Sequence, residues 1–293
     1  MSVSPPTLPR SAHLVHVRLP RPERGDFMLR EPLARLAALQ DPLAWQAVVL
    51  ALMVKPDSRR ERAAWVGINL DVAQAEQVLD DVLALPHTHQ LPWFEHFARK
   101  LAPGPVAPRH DLIDAARRVM TADGMVTAMD QLRWVALRHL LAGSAVAPPE
   151  AASTEIESLH PAHVRQVCAL TAFLSQLVPA PELTLDLTGL GSLSQLWYDG
   201  VTASWQDRPG GVPEREGHDI DAALRALRSV QSLPWLLRPV LVRSWFDAAR
   251  ALTEGSQLHP DAADALRLSC VLLDSPVPPE LGQQYIEVEP AHH

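Results

Sequence analysis

Apolar residues recur at helical spacing along most of the chain. EPLARLAALQ opens the pattern near residue 30, followed by PLAWQAVVLALMV and VAQAEQVLDDVLAL. Apolar positions three and four apart place one stripe on a 3.6-residue helix. Aspartates at 41, 57 and 71 precede successive runs, as N-caps do, and Pro42 fits a first helical turn. Further helices are predicted at about 91–101, 109–122, 127–142, 160–178, 191–205, 219–230, 236–253 and 260–273. LTLDLT at 183–188 alternates like a strand, but one strand has no sheet to join. The pattern predicts an all-α fold.

Breaks in the periodicity divide the chain. Residues 1–29 are rich in proline and arginine, with an alternating HLVHVRL at 13–19, and read as an extended tail. A first helical lobe is expected at 30–143 and a second at 159–286. SAVAPPEAASTEIES makes a linker at 144–158, and 287–293 is a short C-terminal tail. With an offset of 132, TADGMVTA at 121–128 lies over TEGSQLHP at 253–260, and LPW occurs at 91–93 and 233–235. These similarities point to two related lobes, a tandem duplication.

The segment TADGMVTAMDQL turns between two predicted helices. Gly124 can supply the left-handed residue that ends the first, and Asp123 can accept nearby backbone N–H groups. Thr127 caps the next helix, with Asp130 three residues on as a shortened capping box. Val126 is expected to plug the gap between the helices. In the second copy Gly255, Leu258 and Pro260 hold the corresponding corner. Asp123, Thr127 and Asp130 also offer oxygens to a divalent cation, with Asp123 and Asp130 as the candidate ligands. The corner lacks the acidic series of a calcium loop, so the turning role is preferred.

Composition narrows the functional classes. The formal charge of −8 argues against a generic nucleic-acid binder, which needs a concentrated basic face. Cys168 and Cys270 lie far apart in apolar runs and read as buried thiols. The first residues lack a signal-peptide pattern, and AWQAVVLALMV is too short to span a bilayer, so a cytoplasmic protein is expected. The pairs His87/His89 and His160/His163 could hold zinc only with a third ligand, and surface histidines are the simpler reading. Gly189, Gly191 and Ser194 imitate a dinucleotide-binding turn without the surrounding βαβ unit. There is no nucleophile elbow and no phosphate-binding loop. The basic run SRRERAAW reads as a solvated helix face.

Three aromatic pairs stand out: Trp93 with Phe94, Trp197 with Tyr198, and Trp245 with Phe246. Consecutive helical residues diverge by about 100°. One member of each pair is therefore expected either to be exposed or to seal a contact between lobes. Trp93, Trp197 and Trp245 are the candidate anchors for a partner.

The corner TADGMVTAMDQL, with DLIDAARRVM before it and RWVALRHLL after it, resembles that of TerB-like helical domains. RSWFDAARALTEGSQLHPDAADALRLSCVLLDSPVPPEL resembles the end of the C-terminal region appended to some bacterial HtpX-type membrane zinc metallopeptidases. Pro260, Leu266, Arg267, Asp274, Pro276, Pro278 and Pro279 match its pattern. EPLARLAALQDPLAWQAVVLALMVKPD resembles the start of that region, so the similarity covers about residues 31 to 282. It implies an all-α module beside a membrane protease, peripheral at the inner membrane. Zinc peptidase chemistry needs two histidines one turn apart with a glutamate between them. H-E-x-x-H is absent from this chain, so the peptidase's catalytic residues have no counterparts here. The sequence thus predicts a non-catalytic scaffold, adaptor or regulatory module with a protein partner. The alternatives are a metal-binding TerB-like protein or the non-catalytic part of such a peptidase.

Overall fold

The computed structural model describes residues 24–142, 155–180, 193–207, 212–213, 215, 220–253 and 257–288. Among these residues the fold is all-α, with thirteen α-helices and no strand. The possible strand at 183–188, the tail before residue 24 and the linker up to 154 lie outside the described residues.

The first half begins with α1 (Arg24–Ala37), six residues before the predicted start, so the tail boundary at 29 is corrected. Next come α2 (Pro42–Ala51), α3 (Arg59–Ile68), α4 (Ala75–Leu83), α5 (His87–Leu101), α6 (Val106–Met120) and α7 (Ala128–Ala142). Asp41 caps α2 as expected, accepting from the Leu43 N–H at 3.0 Å, with Pro42 in the first turn. The cap of α3 is Ser58 rather than Asp57, its hydroxyl accepting from the Glu61 N–H. Asp71 caps nothing, because α4 begins only after Gln74, which is left-handed at φ 57°. Residues 44 and 47–51 of α2 are buried because α4, α5 and α6 all pack on this helix.

The second half begins inside the predicted linker. A 3-10 turn, Ile156–Ser158, buries Ile156, and its carbonyl accepts the Trp205 indole N–H at 3.2 Å. There follow α8 (Pro161–Leu174), α9 (Leu193–Thr202), α10 (Ile220–Gln231), α11 (Leu237–Leu252), α12 (Pro260–Leu272) and α13 (Pro279–Gly282). His160 and His259 cap α8 and α12, each imidazole Nδ1 accepting a backbone N–H two residues on, with proline next.

Packing partly repeats between the halves. α2 on α5 corresponds to α8 on α10, α3 on α6 to α9 on α11, and α6 on α7 to α11 on α12. Trp65 and Trp197, both fully buried, stand 132 positions apart, the offset of the sequence repeat. The halves join where α7 lies on α12. α12 is buried continuously from Ala262 to Leu272, so its charged residues must find partners inside.

Candidate functional site

The backbone bonds of the corner after α6 form as the sequence suggests, and one residue joins them. Gly124 is left-handed at φ 81°, and Asp123 accepts from the Met125 N–H at 2.8 Å. Thr127 and Asp130 bond reciprocally: the Thr127 N–H donates to the Asp130 carboxylate at 2.9 Å, and the Asp130 N–H donates to the Thr127 hydroxyl at 3.1 Å. That residue is Lys55, from the turn after α2. Its ammonium lies 3.0 Å from Glu61, 3.0 Å from Asp123 and 3.1 Å from Asp130, and donates to the Met125 carbonyl at 2.7 Å. The position a divalent ion would take between Asp123 and Asp130 is thus taken by a lysine. Among the described residues no group of three or more histidines, cysteines or acids could hold a metal ion.

The charges at this corner tune one another. Burial pushes the Glu61 carboxyl above its usual range, and bonds from Lys55 offset part of that shift. Burial alone would lower the Lys55 ammonium, but hydrogen bonds to three carboxylates raise it. The Met125 N–H, and then Lys55, hold Asp123 low. Val126, expected as a plug, is 40% exposed. The Lys55 ammonium, bonded to the carbonyl of the neighbouring Met125, ties the corner together instead. Leu258 in the second half is buried and Pro260 opens α12, while Gly255 lies outside the described residues.

The tryptophan expectation is corrected more broadly. Trp93, Trp197 and Trp245 are all buried, and so are their neighbours Phe94, Tyr198 and Phe246. Both members of a pair can be buried because these helices are packed on more than one side. The Trp197 N–H donates to the Trp245 carbonyl, and the Trp245 N–H to the Thr171 hydroxyl, each at 3.0 Å. None of the three can present an indole to a partner. Trp235 can, being 68% exposed just before α11, with Leu236 and Val240 exposed beside it in sequence. It stands in the second LPW, where the first LPW holds the buried Trp93, so the motif marked the position without its exposure.

A charged seam that sequence reasoning did not anticipate joins the halves. Asp264 on α12, with no exposed surface, lies 2.8 Å from His87 Nε2 and accepts from Arg133 at 2.9 Å and from the Tyr285 hydroxyl at 3.0 Å. Burial works against the Asp264 carboxylate, yet His87 and Arg133 hold its pKa below the usual value. The bond to Asp264 raises the His87 imidazole. One turn along, Arg267 reaches Glu95 at 2.6 Å and Glu287 at 2.7 Å, its guanidinium 4.6 Å from the Tyr285 ring centroid. The Ile286 N–H donates to the Thr88 carbonyl, so residues 285–287 strap α12 to α5. His89 is buried, and burial alone lowers its pKa. Burial pushes the Cys168 thiol up to about 11 and the Cys270 thiol up to about 12, so neither is a ready nucleophile.

A groove of about 920 Å³ runs between the halves, walled by α6 and α7 on one side and by α10 with the end of α12 on the other. Apolar residues and arginines share its lining.

No model of a known protein family, no curated protein and no solved structure matches this chain. No helix among the described residues is long and apolar enough to cross a membrane.

Proposed function

We infer that this chain is a non-catalytic helical scaffold or adaptor, made of two related lobes, that binds a protein partner. The observation that carries the reading is Trp235. Of the eight tryptophans it alone is exposed, and Leu236 and Val240 extend the apolar surface around it. Large aromatic side chains held at a surface are the usual anchors of protein interfaces. Leu236 and Val240 are four apart, so they share one face at the start of α11.

The charged clusters favour a structural role. Lys55 is shared among the three carboxylates at the corner, and Asp264 is held between His87 and Arg133. A general acid or base would need one such group free to exchange a proton with a substrate. The resemblance to TerB-like domains and to the region appended to HtpX-type peptidases suggests a partner: a membrane protease met at the cytoplasmic face of the inner membrane.

The test is recovery of partners from host membranes and cytosol with wild-type chain and with Trp235→Ala. The reading expects one partner in stoichiometric amount with wild type and its loss in the variant. Turnover of a substrate by the purified chain, or equal recovery by both forms, would overturn it.

A further inference from the structure

The groove between the halves carries a charge unlike that of the chain around it. Its apolar wall comes from Ile113 on α6, Trp134 on α7 and Leu224 on α10. Arg109, Arg138 and Arg228 line it against one carboxylate, Asp114, in a chain whose formal charge is −8. Elsewhere Arg35, Arg99, Arg133, Arg243 and Arg267 each pair with a carboxylate. The three groove arginines pair with none among the described residues. Arg138 instead lies over the Trp134 ring, 4.7 Å from its centroid. Arg109 donates to the Leu141 carbonyl near the end of α7 and is thereby fixed beside the groove. Both Arg138 and Arg228 are exposed at the rim, on opposite walls.

An apolar floor between two helical walls accepts side chains from one face of an added helix, at i, i+3, i+4 and i+7. Arginines on both rims select the charge of that helix's flanks, since opposite charges across an interface favour the right partner and like charges reject the wrong one. We propose that this groove docks an acidic amphipathic helix of a protein partner, its apolar stripe against Trp134, Ile113 and Leu224 and its carboxylates against Arg138 and Arg228. The inference deepens the scaffold reading, on which it rests, and uses a surface distinct from Trp235.

The experiment is selection of a displayed library of randomised helical peptides on the full chain. Enriched peptides are then measured against wild type and the double variant R138E/R228E. The expected result is an apolar stripe flanked by Asp and Glu, with binding weakened by at least about tenfold in the double variant. Binding should also weaken as salt is raised. Both arginines are exposed, and an unchanged melting temperature will show that the variant folds. Should the reversal unfold the chain, R138Q/R228Q serves instead, with a smaller loss in the same direction. No enrichment, enrichment of neutral or basic peptides, or equal binding to wild type and variant would overturn the proposal. Tighter binding of a single-stranded oligonucleotide through the same two arginines would overturn it as well, by showing that the groove takes polyanions. Loss of partner recovery on Trp235→Ala reports on the scaffold reading separately, so the two can fail independently.

Discussion

At the scale of single residues, Lys55 organises the first half more than any position the sequence singles out. Glu61 is fully buried, and its carboxylate is tolerable there because Lys55 supplies both an ammonium at 3.0 Å and a backbone N–H at 2.6 Å. Lys55→Met leaves that carboxylate without its counter-charge, which costs about 3 kcal/mol, as breaking a buried pair does. Urea unfolding checks this, and K55M/E61Q should recover part of the loss because the orphaned charge is gone. A K55M protein as stable as wild type would mean that the cluster is solvated rather than buried. Lys55 could not be found from sequence. Its partners Asp123 and Asp130 lie 68 and 75 positions away, and nothing local marks a lysine as an internal cation. The local half of the corner was readable, because Gly124, Thr127 and Asp130 act on backbone groups within three residues of themselves.

At the scale of elements, the periodicity located the helices but not all of their ends: α5 starts four residues before expectation and α8 stops four residues short of it. α7 and α12 begin and end within one residue of expectation. Where a cap failed, a neighbour competed: Ser58 took the place of Asp57, and a left-handed Gln74 delayed α4 past Asp71. The burial of the tryptophans has a different cause. A helix wheel tells which residues share a face, not how many faces a neighbouring element covers. Trp197 on α9 shows the consequence, with its indole bonded to the Trp245 carbonyl on α11. Trp197→Ala should destabilise the fold by about 3–5 kcal/mol. Trp235→Ala should stay within about 0.5 kcal/mol of wild type. Thermal melts of both variants decide between an internal strut and a surface anchor. If the Trp197 variant melts like wild type, α9 does not pack on α11 as described.

At the scale of the whole molecule, the halves are joined by a seam that depends on pH. His87 has a raised pKa in the fold, so its pairing with Asp264 contributes fully below the unfolded value of about 6.5. That contribution is lost as pH rises through the folded value. Asp264 has a lowered pKa, so its contribution holds above about 3.9 and is lost as pH falls through the folded value. Burial lowers His89 and His96, which push stability the opposite way, so the informative quantity is a difference. The gap in melting temperature between wild type and His87→Gln should be largest near pH 5–6 and shrink towards pH 8.5. A gap that does not change with pH would remove His87 from the seam. This seam was not legible in the sequence, because Asp264 and Arg267 sit in an apolar run that reads as ordinary core, and their partners come from α5, α7 and the C-terminal strap.

The proposed role is to hold another protein. The most direct measurement is quantitative partner recovery from host membranes and cytosol, with wild type and Trp235→Ala compared side by side at equal stability. An adaptor that docks through Trp235 should recover one protein in stoichiometric amount as wild type and lose it when the exposed indole is removed. The same protein recovered equally by both, or no partner together with turnover of a substrate by the purified chain, would contradict it.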